Sequence, residues 1–294
     1  MNTTWDQLDN RGLSGRLWRK FAQDGVLVFK DPNWGFGVFD DFLMGTGPVA
    51  TNVGGWNGYK TFEDTSTSCR TLASTTAALE GGMLKLLTDT TDNNSVSIAG
   101  GYGLGGPFRF GATSALTKEL IFEARFSVSS VAATIQDTFV GLAGTGFAAN
   151  DVPFADNDTV ADIDFAGFRL VGHASAPHVD FIYKRTGQTS GTISNVVLTT
   201  TAAGTGVTAA AALAADTFLK VGFRLESNNN LSLYVNGAEV VASRINNATL
   251  YPSGTLLGTW PNLGMHLAAA VKNMTTTASY LTLDWWACAQ AAGF

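Results

Sequence analysis

The 294-residue sequence predicts an all-β protein, two antiparallel sheets packed face to face, with a short helical N-terminal arm. Three observations carry that prediction. In residues 218–241, FLKVGFRLESNNNLSLYVNGAEVV, Leu219, Val221, Phe223 and Leu225 alternate with Lys220, Gly222, Arg224 and Glu226. That is the period-two pattern of a half-buried strand. Ser227 to Asn230 is turn chemistry, after which Leu231, Leu233 and Val235 resume the alternation against Ser232, Tyr234 and Asn236. Asn236-Gly237 then supplies the strongest short hairpin signal, because both turn positions need φ > 0. Similar segments recur along the chain, separated by Gly, Ser, Thr and Asn, and helical periodicity is confined to the first 31 residues.

Those 31 residues read as an arm. Thr4-Trp5-Asp6-Gln7 is a capping box for a short helix that Gly12 can end. Ser14 can cap a second helix, with Leu13 and Trp18 placed as its hydrophobic staple. Five of the 18 basic residues fall in this arm. Trp5, Leu13, Leu17, Trp18 and Phe21 are its candidate partner-binding side chains. A segment this short is unstable as isolated helices. It packs either on its own sandwich or on another chain.

Residues 32–294 form the sandwich domain. Asp31-Pro32-Asn33 punctuates, and 34–43 starts the sheet. Residues 44–81 read as a long loop anchored by Trp56 and Tyr59. Strands are predicted over 83–87, 96–99 and 119–129, the last with Phe122, Ala124, Phe126 and Val128 inward and Glu123 and Arg125 outward. Further strands fall at 138–142, 165–171, 179–184 and 192–200. Residues 201–216 are an Ala/Thr/Gly surface excursion. After the hairpin come strands at 264–272, with His266 on the outer face, and 279–289, where Trp285 and Trp286 point to opposite faces.

The run KVGFRLE, a polar turn, then LSLYVNG resembles the strand–turn–strand signature of laminin-G-like and concanavalin A-like jelly rolls. The match is close over residues 218–241 and rests on strand spacing alone from Phe39 to Trp286. The resemblance implies first and last strands lying side by side, here 39–42 beside 280–284. It does not select a function, since lectins, glycosidases, lyases, adhesion modules and virion proteins share the fold.

Composition narrows the classes. A net charge of −6 and a pI near 5.0 argue against a nucleic-acid partner, which needs a basic patch. No apolar run approaches the ~18 residues of a membrane span, and no basic-then-apolar leader opens the chain. Folding in a cytoplasm is therefore expected, where Cys69 and Cys288 are no disulfide framework: they are two reduced thiols, or pair with each other where the first and last thirds of the chain meet. Only 14% of residues are charged, which suits faces covered by neighbours.

Sugar-cleaving jelly rolls carry carboxylates in a pattern E-x-D-x-x-E, where paired acids act as nucleophile or base and proton donor. The nearest stretch is Asp162-Ile163-Asp164-Phe165-Ala166-Gly167, with Gly167 in place of the last acid. No catalytic residues are expected from it. Asp156, Asp158, Asp162 and Asp164 are candidate Ca²⁺ ligands, since hard oxygens at such spacing can hold that ion. No other cofactor is expected. His173, His178 and His266 lack metal-type spacing, and no G-x-S-x-G elbow exists.

The charge-poor surface, the amphipathic arm, the Phe39-Asp40-Asp41-Phe42 opening and the Ala/Thr/Gly-rich loop resemble head and tail structural proteins of tailed bacteriophages. That resemblance implies a non-enzymatic virion component, most specifically a capsid decoration (cement) protein assembled in the host bacterial cytoplasm. Its partners would be a major capsid protein and further copies of itself, as a homo-oligomer such as a trimer, with the arm docked on a neighbour. The alternative is a carbohydrate-binding, lectin-like module of a phage fibre or adhesin that binds glycans. A glycoside hydrolase or polysaccharide lyase is the third class.

Overall fold

The period-two alternation resolves into fifteen strands in a computed structural model. It describes residues 13–18, 35–42, 59–63, 70–74, 82–101, 106–111, 118–147, 160–171, 178–198, 213–240, 245–246 and 260–291. In chain order the strands are β1 (Gly35–Asp40), β2 (Lys60–Glu63), β3 (Arg70–Ser74), β4 (Met83–Leu87), β5 (Ser95–Ala99), β6 (Leu120–Val128), β7 (Gln136–Ala143) and β8 (Phe165–Val171). They continue as β9 (His178–Lys184), β10 (Gly191–Leu198), β11 (Leu219–Leu225), β12 (Leu231–Val235), β13 (Ala238–Glu239), β14 (His266–Asn273) and β15 (Tyr280–Ala291).

One sheet runs β13-β12-β11-β6-β15-β4-β3, with β1 also paired to β15, and the other runs β10-β9-β8-β7-β14-β5-β2. Every pairing is antiparallel, as hairpins with one apolar face require. Leu219, Val221, Phe223, Leu225, Leu231, Leu233 and Val235 all face the shared core. There Phe223 meets Phe122 of its own sheet and Phe181 of the other, each ring pair 5.4 Å apart. Asn236 and Gly237 have φ of 45° and 79°, the left-handed pair that the hairpin needs.

The twelve-residue β15 organises the larger sheet. Along one edge it pairs with β6; along the other, Tyr280–Leu283 pairs with β4 and Trp286–Ala291 with β1. First and last strands are thus neighbours, but the register differs from the expected one: Asp40 lies opposite Trp286, not within 280–284. The cause is β4, whose Leu84 and Leu86 already pair with Leu283 and Leu281. A register shift between Leu283 and Trp285 follows before β1 joins. Trp286 then points into the core, its Nε1 donating to the Tyr59 hydroxyl at 3.0 Å, while Trp285 lies on the outer face.

The expected loop over 44–81 contains β2 and β3, which are short strands of four and five residues. Neither shows enough alternation to be read from sequence. Tyr59 is buried as an anchor, whereas Trp56 and residues 199–212 lie outside the described residues. Cys288 is a free, fully buried thiol whose pKa burial raises well above the ordinary range, which leaves it inert; Cys69 lies outside the described residues.

Candidate functional site

Glu123 was expected to face outward, and it does leave the core side of β6, yet it is only 1% exposed. The arm covers it. Residues 15–18 are helical, with Trp18 N donating to Ser14 O at 3.0 Å. Ser14 N and Trp18 Nε1 both donate to Glu123 Oε2, at 2.9 and 2.8 Å, and the Ser14 hydroxyl donates to Oε1. Ser14 stands where a helix cap belongs, but its hydroxyl is committed to the sheet. Leu13, Leu17 and Trp18 reach Ile121, Tyr234, Trp285, Ala287 and Ala289. Gly222 makes room for this: a Cβ there would fall 2.6 Å from Leu17 Cδ2 and 2.8 Å from Phe122 O. For residues 13–18 the structure therefore takes the first of the two alternatives. Leu17 and Trp18, two of the candidate partner-binding residues, are buried against their own sandwich, because a buried carboxylate on β6 takes the Ser14 and Trp18 donors and Leu17 packs over Gly222 beside them. Trp5 and Phe21 lie outside the described residues.

Burial raises the Glu123 pKa, and the nearby Lys220 ammonium and the Ser14 and Trp18 hydrogen bonds only partly oppose it. The opposite holds at Asp164, just before β8. Burial there too disfavours the anion, but Thr186 N, Leu263 N, the Thr186 hydroxyl and Asn262 N outweigh it and hold the pKa below the usual carboxylate value. The donor distances are 2.7 to 3.0 Å.

Both Asp164 oxygens accept from protein N–H and O–H groups, so this member of the Ca²⁺ candidate set ties loops together. Asp162 accepts from Gly187 N at 2.7 Å and lies 3.4 Å from Lys184 Nζ. Asp156 and Asp158 lie outside the described residues, among which no group of three His, Cys, Asp or Glu side chains is placed to hold a metal. Gly167 sits against Gly141, where a Cβ would lie 2.7 Å from the Gly141 Cα, so a third carboxylate has no room at that position.

The outer face of the seven-stranded sheet is closed as well. Phe139, Phe165, Ile182, Ala268 and Ala270 are buried there, with Phe147, Val160 and Ile163 of the β7–β8 connection packed on them. On the same face Arg169 pairs with Asp137 at 2.6 Å. His266 shares this side of β14 with Ala268 and Ala270, as its parity predicted, and is half-buried.

The margin at β1 is more open. Among the described residues its only strand partner is β15, and the strand exposes Phe36, Val38 and Phe39, the last at 48%. Phe39 lies on the outer face with its ring 6.1 Å from Trp285, and Phe36 packs on Phe108 at 5.2 Å. Edge strands are usually guarded by charge or proline. Here the first five residues, Gly35 to Phe39, carry neither.

Beside this margin opens a cleft of about 650 Å³ lined by Phe36, Arg109, Phe110, Lys118, Asn262 and Gln290 among others. Sequence reading missed these residues, which come from five separate segments. The available signal was Arg109 between Phe108 and Phe110, a cation set in an aromatic alternation. Neither the Arg109 guanidinium nor the Lys118 ammonium has a carboxylate partner within salt-bridge distance among the described residues.

No protein-family model and no curated protein matches this chain. Among solved structures, the carbohydrate recognition domain of Emp47p aligns with a TM-score of 0.51 and 11% identity, covering 90% of this chain and 100% of that one. A laminarinase catalytic domain from Thermotoga petrophila aligns at 0.49 with 10% identity, over 87% and 97% of the two chains. A protein of unknown function from Shewanella oneidensis aligns at 0.47 with 13% identity, over 93% and 94%. The Emp47p likeness and the strand order establish the fold: this chain is a two-sheet antiparallel jelly roll.

Proposed function

We propose that this chain is a non-enzymatic structural protein that docks on a larger assembly through the β1 margin, most specifically a decoration (cement) protein of a bacteriophage capsid. The observation that supports it is the contrast between closed and open surface. The outer face of the seven-stranded sheet is covered by the β7–β8 connection, and residues 13–18 cover part of the other. The buried carboxylates Glu119, Glu123, Asp137, Asp164 and Asp180 each have a partner within the chain. Three of the large exposed apolar side chains, in contrast, belong to one strand, β1, whose only strand partner among the described residues is β15. A lattice contact repeated over many copies needs such a strip and no chemistry. Particles purified from a producing bacterial culture should contain the chain by mass spectrometry, on heads by immunogold labelling, and Phe39→Asp should displace it. Its absence from particles would overturn the reading.

The cleft beside β1 favours a second reading, a carbohydrate-binding module. It combines an exposed aromatic ring, an amide and two cations in a volume typical of ligand sites. A glycan array tests this directly: binding that Phe36→Ala weakens supports the reading, and no binding to any glycan defeats it.

A further inference from the structure

We infer that the cleft at the β1 margin binds a sugar ring bearing an anionic substituent, a uronate or a sulfated sugar; this rests on the second reading above. The argument begins with how the chain treats its other cations. On the sheets Arg125 pairs with Asp284, Arg169 with Asp137 at 2.6 Å and Arg224 with Glu119 at 2.7 Å. Arg109 and Lys118 depart from that pattern: both are exposed, both line one cleft, and neither has such a partner among the described residues. In a chain of net charge −6, two such cations facing a common space make a local attraction for anions.

The walls are held in place before any ligand arrives. Gln290, 3% exposed, brackets the Arg109 peptide: Arg109 N donates to its Oε1 at 3.2 Å, and its Nε2 donates to Arg109 O at 2.7 Å. The facing wall is pinned by Asp164, whose Oδ2 accepts from Asn262 N at 2.9 Å and Leu263 N at 3.0 Å. A two-bond bridge between Phe108 and Met265, at 2.7 and 3.3 Å, joins the walls. Preorganisation of this kind lowers the ordering cost of binding.

The lining assigns the ligand. Guanidinium and ammonium groups recognise carboxylate or sulfate, the former in bidentate geometry. Phe36, 37% exposed, offers an apolar ring to the C–H face of a sugar, and Asn262, which lines the same space, carries an amide donor and acceptor suited to hydroxyls. The open mouth suits a unit within a longer polymer.

The test is titration calorimetry of the full chain with polygalacturonate for the carboxylate source, dextran sulfate for the sulfate source, and dextran as the neutral control. At least one acidic polymer should bind while dextran does not. Arg109→Ala/Lys118→Ala should weaken binding at least tenfold with the unfolding midpoint unchanged. Equal affinity of the double variant, or binding of dextran as tight as that of the acidic polymers, overturns the inference while leaving a glycan-binding reading intact. Failure of all three polymers together with a blank glycan array overturns both.

Discussion

Glu123 and Asp164 are both almost inaccessible to water and both surrounded by donors, yet their acidities move in opposite directions. Glu123 lies in mid-sheet on β6, beneath the arm, where it accepts from two side chains and one backbone amide. Asp164 lies among connections, where it accepts from three backbone amides and a hydroxyl. Both tether a segment to the sandwich. The difference teaches that donor count alone does not set the charge state: the density of apolar packing around the carboxylate decides whether the hydrogen bonds overcome desolvation.

The strongest way to break this comparison is to delete residues 1–18. That would expose Ile121, Tyr234, Trp285, Ala287 and Ala289 and strip Glu123 of its three donors at once. Urea unfolding should show a loss larger than that of any single substitution here. An unchanged midpoint would return the arm to the role of a free docking element. Glu123→Ala comes next. It leaves the buried Ser14 and Trp18 donors without their acceptor, at about 1–3 kcal/mol for each unsatisfied donor, which should cost about 3–5 kcal/mol in the same measurement. Asp164→Ala frees backbone amides nearer the surface and should cost about 1–3 kcal/mol.

The pH dependence sharpens the contrast. Because folding raises the Glu123 pKa above its ordinary 4.5, that group's contribution is fully present below this value and lost as pH rises through the folded value. Folding lowers the Asp164 pKa below its ordinary 3.8, so its contribution is present above that value and lost as pH falls through the folded one. Stability profiles of Glu123→Gln and Asp164→Asn should therefore flatten on opposite sides, the first on the alkaline side and the second on the acidic side. Two profiles flattened on the same side would refute the assignment. The smallest expected effect is Arg109→Ala, within about 0.5 kcal/mol, since an exposed cation with no carboxylate partner among the described residues contributes little to folding.

The hairpin and the two faces of the larger sheet were legible because alternation at Leu219 to Val235 and at Phe122 to Val128 states directly which side is apolar. The opposed Trp285 and Trp286 follow from the same period. β2 and β3 were not legible: at four and five residues, edge strands gain their pairing from neighbours such as β5 and β4 rather than from their own pattern. The Glu123 latch was half legible. An outward glutamate and an amphipathic arm were each readable, but not that one covers the other, because the link spans more than 100 positions.

By itself the sequence determined the period, and through it the sheets, the core stripe and the turn at Asn236-Gly237, since each depends on residues within hydrogen-bonding reach along the chain. Only the tertiary structure decided which strand lies beside which, that Trp18 and Ser14 meet Glu123, that Asp164 clamps loops, and that Arg109 and Lys118 share one cleft. These depend on packing between segments far apart in sequence, where the outcome is set by which apolar edges and buried charges are left to satisfy one another.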